Sequence, residues 1–385
     1  MRVALVASSY EPNPGGLERH VEQLALGLAV RGAQVEVLTQ EAARRPSRVV
    51  GRAGVVVRRF RATGGTRFTA APGLWEYLRR HVGSWDVVHV HSAHARLGLA
   101  VARAGPARLV FTPHAPIQRL VRWPDARVTQ AVFDRADRIV CTSGAEADLL
   151  GRSFSRSAPR IGVVPDGVEV AAIQAAKPIA SAGRIVLAVG RLERYKRMDR
   201  AIAAMASLDP GLRLVIVGDG PDRRRLEAYA ADLRVASRVH FTGRVSDPWL
   251  YRWLRTARVL VALAEQQASG LQLLEALSAG APAVVSDIPA HREAASYAAG
   301  VGVTLVAPEG SPLEVGQAID EAIGTRVQSS VASGFPSWGA AVDETFAIYR
   351  ALIPARRFAR GSNGQGPREP TVPSGGNRPD LAVEG

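Results

Sequence analysis

The sequence predicts an α/β protein built from two Rossmann-like domains. Three observations favour this fold class. Short apolar runs with the length of buried strands alternate with amphipathic stretches of helical period. This alternation occurs twice, and a stretch without strand character separates the two series near residue 175. The chain has 385 residues, which is long enough for two domains of ordinary size.

The first series begins at the amino terminus, where RVALVAS predicts a strand, LERHVEQLALGLAVRG a helix and QVEVLTQ a second strand. One face of this helix carries Leu17, His20, Val21, Leu24 and Leu28, and Gly32 is placed to end it. Further strands are predicted at VVVRRF, DVVHVHS, RLVFTPHA, RIVCTS and IGVVPDGV. Because helices alternate with the strands, we expect a parallel sheet.

The second series follows EVAAIQAAKPIASAGR, which predicts a linker with a short helical turn. Its strands are predicted at RIVLAVGR, RLVIVGDG, RVHFTGRV, ARVLVALAE, APAVVSD and GVGVTLVA. An amphipathic helix is predicted over 337–353, and the Gly-, Pro- and Arg-rich segment after it predicts disorder. The predicted domains are 1–173 and 174–336, followed by a helix at 337–355 and a disordered tail at 356–385.

The charge of the chain is strongly basic, with a formal net charge of +14. Between residues 41 and 80 there are ten Arg but only Glu41 and Glu76 as acidic residues. Two interpretations remain open: Arg-rich solvated faces of a protein from a GC-rich genome, or a surface that meets anionic lipid headgroups. No aromatic and basic signature of RNA binding accompanies the arginines, so a nucleic-acid partner is not predicted.

Cysteine usage and hydropathy indicate a cytoplasmic protein. The single Cys141 cannot form an internal disulfide, and its apolar surroundings predict a buried strand residue. The amino terminus lacks the apolar length of a signal peptide, and no apolar run is long enough to span a bilayer. Peripheral binding at the inner membrane face is the hypothesis that the Arg-rich 41–80 region adds.

Lysine is scarce, and its placement is informative. The chain has 49 Lys and Arg together, and the only lysines are Lys177 and Lys196. Where Arg has replaced Lys so widely, a remaining Lys marks a candidate position where a compact ammonium is needed, for example as a point charge for phosphate. Lys177 lies in the linker, whereas Lys196 lies in GRLERYKRMD directly after a predicted strand.

Three segments of the second series predict an anion site. Gly190 ends a strand and is followed by Arg191 and Lys196, at the sheet edge where ligands bind in open α/β folds. VIVGDGPDR contains Gly218 in a turn that lets the backbone approach a ligand. In QQASGLQLLEALSAGAP, Ser269 and Gly270 mark a helix start, where free N–H groups hold anions.

With these motifs the chain resembles the glycosyltransferases of family 4, which are retaining enzymes with the GT-B fold. The resemblance runs from Met1 to about Ile353. It is carried by GGLERHVEQLALGLAVRG, DVVHVHS, FTPHA, ADRIVCTSGAE, VVPDGVEV, GRLERYKRMD, VIVGDGP, FTGRV and SGLQLLEALSAGAPAVVSD, in this order. It implies two Rossmann-like domains that face a cleft, with the last helix crossing back to the first domain.

The resemblance also implies roles for individual residues. Arg191 and Lys196 match the basic pair that binds the donor diphosphate and stabilises it as it leaves, without an obligatory metal or other cofactor. Glu275 matches the second Glu of the family's E-x7-E motif, which holds the ribose. His114 matches a His that often contacts the transferred sugar. The other implied donor-site residues are Gly15 and Gly16 with neighbouring Asn13, Gly190, Gly218, and the backbone of Ala268, Ser269, Gly270 and Leu271.

One position departs from the family pattern. The first Glu of E-x7-E is replaced here by Gln267, while Glu265 lies out of register. Gln keeps the capacity for hydrogen bonds and loses the charge. We expect an orienting role for Gln267, because Arg191 and Lys196 are both present.

The sequence therefore predicts a retaining glycosyltransferase that moves a sugar from a UDP- or GDP-linked donor to a glycan, lipid-linked or small-molecule acceptor. Two alternatives remain open: a nucleotide-sugar epimerase, and a non-catalytic nucleotide-sugar-binding or scaffold protein. No metal site is predicted at His89, His91 and His94. Two of these alternate on a strand, but no acidic or Cys partner stands at metal-site spacing.

Overall fold

The computed structural model describes residues 1–13, 15–41, 47–62, 71–92, 95–114, 120–121, 125–180 and 183–354. Within these residues the strands form two separate sheets, one in each half of the chain. Apolar side chains pack on both faces of each sheet, as parallel sheets require. The predicted α/β fold with two Rossmann-like halves is confirmed.

The first sheet has the strand order β3-β4-β2-β1-β5-β6-β7-β8. Its strands are β1 (Arg2–Ala7), β2 (Gln34–Glu41), β3 (Ser47–Val50), β4 (Val56–Arg61), β5 (Val87–Ser92), β6 (Leu109–Pro113), β7 (Arg138–Cys141) and β8 (Ile161–Val163). The expectation of an all-parallel sheet is wrong at one edge, where β3 pairs antiparallel with β4. The short sequence SRVV is exposed along its whole length, so it lacks the apolar pattern that reveals a buried strand.

The second sheet has the order β11-β10-β9-β12-β13-β14, and each pair of neighbouring strands in it is parallel. Its strands are β9 (Arg184–Val189), β10 (Leu212–Val217), β11 (Val239–Gly243), β12 (Val259–Ala262), β13 (Ala283–Ser286) and β14 (Val303–Val306). The order reverses between β9 and β12, which start their crossovers in opposite directions. This switch point is where open α/β sheets bind ligands.

Helices cover both sheets. In the first half they are α1 (Gly16–Val30), α2 (Pro72–His81), α3 (Ala95–Ala104), α4 (Asp125–Arg135) and α5 (Gly144–Ser153), and α6 (Val170–Ala175) follows in the linker. In the second half they are α7 (Met198–Ala204), α8 (Arg223–Asp232), α9 (Asp247–Thr256), α10 (Leu271–Ser278), α11 (Pro289–Tyr297), α12 (Pro312–Ile323) and α13 (Trp338–Leu352). On α1 the predicted apolar face is buried except for Leu17, which is half-buried, and Gly32 follows the helix at a φ of 84°.

The last helix, α13, crosses back to the first half as expected. Trp338 and Tyr349 pack in one cluster with strands β1, β2 and β5 of the first sheet. Arg31 at the end of α1 donates to Asp343 at 2.6 Å and to the carbonyl of Gly339 at 3.0 Å. The predicted disordered tail at 356–385 lies outside the described residues. Among the described helices, none has both the length and the apolar character needed to cross a bilayer.

Candidate active site

The cations Arg191 and Lys196 lie on the loop that follows β9. The strand ends at Val189, Gly190 takes a φ of 147°, and a 3-10 turn over Arg194–Lys196 brings the lysine back to the sheet edge. The Arg191 side chain is 65 % exposed and pairs with Glu193 at 2.8 Å. Lys196 is half-buried, and desolvation lowers its pKa to about 8, with Glu193 opposing this and Arg191 adding to it. The lysine therefore lies at the edge of the second sheet with part of its side chain removed from water.

Close backbone approach shapes this edge. Gly218, at a φ of 136°, directly follows β10 beside the Gly190 loop, and a Cβ added to it would lie 1.9 Å from the Gly190 carbonyl oxygen. This oxygen is a backbone atom and cannot move aside as the end of a flexible side chain would, so only glycine fits at position 218. The sequence predicts that the Gly218 turn lets the backbone approach a ligand and that Gly190 ends the strand before the cations. The structure shows that these two glycines also hold their loops against each other.

Gly218→Ala is therefore expected to destabilise the protein by about 1–3 kcal/mol, through overcrowding and the disfavoured φ. It should also displace the loop that carries Arg191. Urea unfolding followed by circular dichroism measures the first effect. Gly324→Ala is the matched control, because a Cβ there meets nothing within 4 Å and φ is ordinary. Equal unfolding midpoints for the two variants would contradict the close-approach argument.

The loop before α10 supplies backbone groups at the same edge. Gly270 precedes the helix, which starts at Leu271 as the sequence predicted. A Cβ on Gly270 would lie 2.4 Å from that of Ala294 on α11, so the loop is packed tightly against its neighbour. The N–H groups of the first turn lie at the helix end that favours anions.

Glu275 lies within α10 and is buried, and its partner comes from the other half of the chain. Arg19 of α1 donates to the Glu275 carboxylate at 2.5 Å, to Asp247 at 3.0 Å and to the Tyr251 hydroxyl at 2.9 Å. Burial raises the pKa of Glu275, and Arg19 opposes that rise. The Arg19 side chain is only 12 % exposed, so this is an ion pair largely removed from water that joins the two halves.

Three further contacts cross between the halves at the same place. The Ser143 hydroxyl donates to the carbonyl of Ala268. Glu293 of α11 accepts from the N–H groups of Gly144 and Ala145, at 2.7 and 2.8 Å, and so occupies the amino end of α5. With the Arg19 contacts, they hold α9, α10, α11 and the loop before α10 against the first half.

Four histidine rings line the carboxyl edge of the first sheet. His89 is bonded on both nitrogens, to Tyr349 at 2.6 Å and to Thr112 at 2.8 Å. His91 Nδ1 lies 3.3 Å from His114 Nε2, and His20 contacts both rings, with centroids 5.1 and 4.8 Å apart. Desolvation lowers the pKa of His89 and His91 well below the usual value and that of His114 to about 3. These three imidazoles are therefore neutral at pH 7.

Asp166 connects the histidines to the second half. It accepts from His20 Nδ1 at 2.7 Å and from the Ser269 hydroxyl at 3.4 Å. Burial would raise its pKa, but the hydrogen bond and the charge of His20 bring the pKa below the usual value. Among the described residues, His20, His91 and His114 are the group whose ligand atoms lie close enough together to hold a metal ion, all within 4.8 Å. This group shares only His91 with the three histidines considered from the sequence, which were His89, His91 and His94. His94 lies outside the described residues.

The glycine pair before α1 lies at the end of the same edge. Gly15 is extended, and Gly16 is exposed as the first residue of the helix. Asn13 donates to the Ser9 hydroxyl at 3.3 Å, which fixes the loop between β1 and α1. The loop therefore leads directly into the helical turn that carries Arg19 and His20.

Comparison with known proteins assigns this architecture. The profile described as Glycosyltransferase Family 4 matches residues 14–172, and that described as Glycosyl transferases group 1 matches residues 170–326. A D-inositol 3-phosphate glycosyltransferase of Acidothermus cellulolyticus is 30 % identical over 93 % of this chain and 92 % of its own length. The chain belongs to glycosyltransferase family 4. This family membership makes it an enzyme that uses nucleotide sugars, as the sequence predicted, and neither an epimerase nor a non-catalytic protein is supported.

Two other similar proteins are a relative by sequence and a solved structure. A GDP-mannose-dependent alpha-(1-6)-phosphatidylinositol dimannoside mannosyltransferase of Mycobacterium tuberculosis is 32 % identical over 76 % of this chain and 81 % of its own length. The structure of sucrose-phosphate synthase from Thermosynechococcus elongatus covers 93 % of this chain and 99 % of its own, with a TM-score of 0.73 and 21 % identity. The second likeness shows the GT-B fold.

The sequence-predicted site residues of the glycosyltransferase fall into two groups in space. One group lines the edge of the second sheet: Gly190, Arg191, Lys196, Gly218, Gln267, Ala268, Ser269, Gly270, Leu271 and Glu275. The other lies at the edge of the first sheet: Asn13, Gly15, Gly16 and His114. The contacts of Asp166 with Ser269 and of Arg19 with Glu275 bring the two groups to one cleft.

Sequence reasoning missed the residues that join the two groups. Arg19 and His20 lie three and four residues after Gly16 in GGLERH, and Asp166 follows strand β8 in VVPDGV. Their positions after a Gly turn and at a strand end are the signal that could have marked them as site residues. Their partners could not be read from the chain, because each contact spans more than 100 residues.

Proposed function

We propose that this glycosyltransferase transfers a sugar from a UDP- or GDP-linked donor with retention of anomeric configuration, and that it does so without an obligatory metal ion. The observation that carries the proposal is the position of Lys196 on the loop after β9, with its ammonium 2.6 Å from the Gln267 amide oxygen. In this proposal Arg191 and Lys196 bind the diphosphate, and the first turn of α10 adds N–H groups. The fixed cations would stabilise the negative charge that develops on the leaving group.

The proposed route is front-face attack, in which the leaving phosphate assists removal of the acceptor proton. Two carboxylates of the cleft, those of Glu275 and Asp166, support this view because both are engaged by the protein. Glu275 is paired with Arg19, and Asp166 accepts from His20 and Ser269. Neither carboxylate is then free to act as a nucleophile toward the sugar. Because Arg19 occupies the Glu275 carboxylate, Glu275 is proposed to hold the ribose only after Arg19 moves aside.

For the acceptor we propose a polyol phosphate or a lipid-linked polyol, bound by the first half. The names of the relatives support this class, since they refer to inositol 3-phosphate and phosphatidylinositol acceptors.

A role at the inner membrane face remains a proposal. Among the arginines of the 41–80 region, Arg80 pairs with Glu76 at 2.8 Å, and Arg59 donates to the Glu11 carbonyl at 2.7 Å. Co-sedimentation with anionic and with neutral vesicles tests the membrane part.

The donor class is tested by thermal shift with UDP, GDP, ADP and their common sugar conjugates. A ligand at 100 times its dissociation constant adds roughly 2.7 kcal/mol to stability, which is readily measured. We expect stabilisation by one nucleotide class, followed by transfer to inositol phosphate with the donor's anomeric configuration, read by NMR of the product. An inverted product would overturn retention, and the absence of any nucleotide effect would overturn the donor site.

The affinity for that nucleoside diphosphate is expected to fall as the pH rises through about 8, because Lys196 then loses its proton and its charge. Between about pH 7 and that value the ammonium and the fully ionised diphosphate are both present, so the affinity changes little. Above it the affinity falls by at most about tenfold per pH unit. Isothermal titration calorimetry from about pH 7 to about pH 10 measures the effect, and Lys196→Arg is the control, because guanidinium does not titrate in this range. A flat profile for the unaltered protein would contradict the prediction.

A further inference from the structure

We propose that His291 is a positioning residue, which orients Lys196 through the amide of Gln267. The proposal rests on the proposed function, in which Lys196 binds the donor diphosphate. Nothing in the sequence motifs pointed to His291, which lies on α11, 24 residues beyond Gln267. The relay consists of the Ser286 carbonyl, the His291 ring, the Gln267 amide and the Lys196 ammonium.

The first step is the tautomer of His291, which is fully buried. Its Nδ1 lies 2.8 Å from the Ser286 carbonyl oxygen, which can only accept. The Ser286 hydroxyl, 3.2 Å from the same nitrogen, already donates to the Ala264 carbonyl at 2.5 Å and so can also only accept there. Nδ1 must therefore carry the hydrogen. Desolvation lowers the pKa of His291 to about 4, so the ring is neutral and Nε2 is left as an acceptor.

The second step is the orientation of the Gln267 amide. Its nitrogen donates to His291 Nε2 at 3.1 Å and to the Ser269 carbonyl at 3.0 Å, which uses both N–H groups. Its oxygen then accepts from Lys196 Nζ at 2.6 Å and from Gln272 Nε2 at 2.7 Å. The opposite orientation would place the amide NH2 against two donors. The Nδ1–H tautomer of His291 supports this orientation, in which Lys196 meets an oxygen.

The third step is the electrostatic surroundings of Lys196. Glu193 and Arg191 act on it with opposite signs, the Tyr195 ring centroid lies 5.6 Å from Nζ, and neutral His291 lies behind Gln267. The amide oxygen orients the ammonium without neutralising it. The full charge of Lys196 therefore remains available to a diphosphate, while the lysine is easier to deprotonate than it would be beside a carboxylate.

The relay also explains why Gln suits position 267 in this chain. A carboxylate there would turn oxygen lone pairs toward the lone pair of His291 Nε2, which is repulsive unless that nitrogen gains a proton. Gln267→Glu should therefore raise the pKa of both Lys196 and His291. Because the charge of a carboxylate at position 267 would raise both pKa values wherever these contacts exist, the shifts test the contacts, and the His291 variants test the positioning role.

The test uses the presence of only two lysines in the chain. Lysine labelled with ¹³C at Cε gives two side-chain signals, and Lys177→Arg identifies that of Lys196. NMR titration of the full chain follows Lys196, while ¹⁵N-labelled imidazole signals report the tautomer and titration of His291. We expect the Nδ1–H tautomer in the unaltered protein. For Gln267→Glu we expect upward shifts of at least about one pH unit in both titrations.

The remaining variants separate positioning from packing. His291→Leu removes the acceptor and is expected to change the Lys196 signal and weaken UDP or GDP binding about tenfold, whereas His291→Gln keeps an acceptor and should restore both. His240→Leu, an exposed histidine on β11, is the control. An Nε2–H tautomer, or a Lys196 titration unchanged by Gln267→Glu, would overturn the relay. Because these NMR readouts require no nucleotide, a failure of UDP and GDP to bind would count against the proposed function alone.

Discussion

Lys196→Ala is expected to lower kcat/KM for the nucleotide-sugar donor by about 100- to 1,000-fold, the usual effect of removing one preorganised group that stabilises developing charge. The half-buried ammonium keeps its charge unneutralised beside Gln267, so its loss is not compensated by Arg191, which is 65 % exposed and paired with Glu193. Initial-rate kinetics with the donor found by thermal shift measure the effect. Most of the loss should appear in kcat, because the interaction strengthens as the diphosphate leaves.

Lys177→Ala is the matched control for this variant, because it removes the other lysine, which is exposed in the linker. Lys196→Arg separates charge from shape. A guanidinium retains the charge but cannot reproduce the contact of a compact ammonium with Gln267, so we expect partial activity. If Lys196→Ala retained the activity of Lys177→Ala, the proposed diphosphate cradle would be wrong.

Glu275→Ala is expected to destabilise the protein by about 3–5 kcal/mol, the usual cost of removing one partner of a buried ion pair. Arg19 would lose the carboxylate that it contacts at 2.5 Å while remaining shielded from water. Asp247 also contacts Arg19, but it is 50 % exposed and screens the charge less effectively. Urea unfolding monitored by tryptophan fluorescence measures the loss.

The double variant Arg19→Met with Glu275→Leu removes both charges and should recover most of that stability. Glu265→Ala is the control, since Glu265 pairs with Arg197 at 2.9 Å while 49 % exposed, and exposed pairs contribute at most about 1 kcal/mol. If Glu275→Ala unfolded at the same urea concentration as Glu265→Ala, the buried pair would not couple the two halves. Glu275→Ala is also expected to lower the affinity for the nucleotide, because Glu275 is proposed to hold the ribose.

Most strands and the long helices could be predicted from local patterns. RIVLAVGR and RLVIVGDG are buried on both faces of the second sheet, and continuous apolar runs of this kind are read easily. The edge strand β3 was missed because it is exposed on both faces. The helix at 337–353 was predicted within one residue at each end, and its Ser337 cap explains the start, since its side chain accepts from Ala340 N–H.

The candidate site could be predicted only in part. Motifs that are contiguous in the chain, such as Gly190 to Lys196 and Gln267 to Glu275, place their residues on one loop or one helix turn. Their functional roles stay predictions until the variants are measured. Arg19, Asp166 and His291 act through partners that are remote in sequence or on another element, so no spacing rule could reveal them.

The sequence by itself determined the family, the two α/β halves, the crossing helix and the loops that carry the cations, because strand and helix periodicity and Gly turns are local properties of the chain. Only the tertiary structure decided which charges meet. It placed Arg19 on Glu275, grouped His20 and His114 around Asp166, and set the Gln267 amide between His291 and Lys196. These contacts depend on how two separately built sheets pack and on which buried donor faces which acceptor, and desolvation makes each such pairing obligatory once water is excluded.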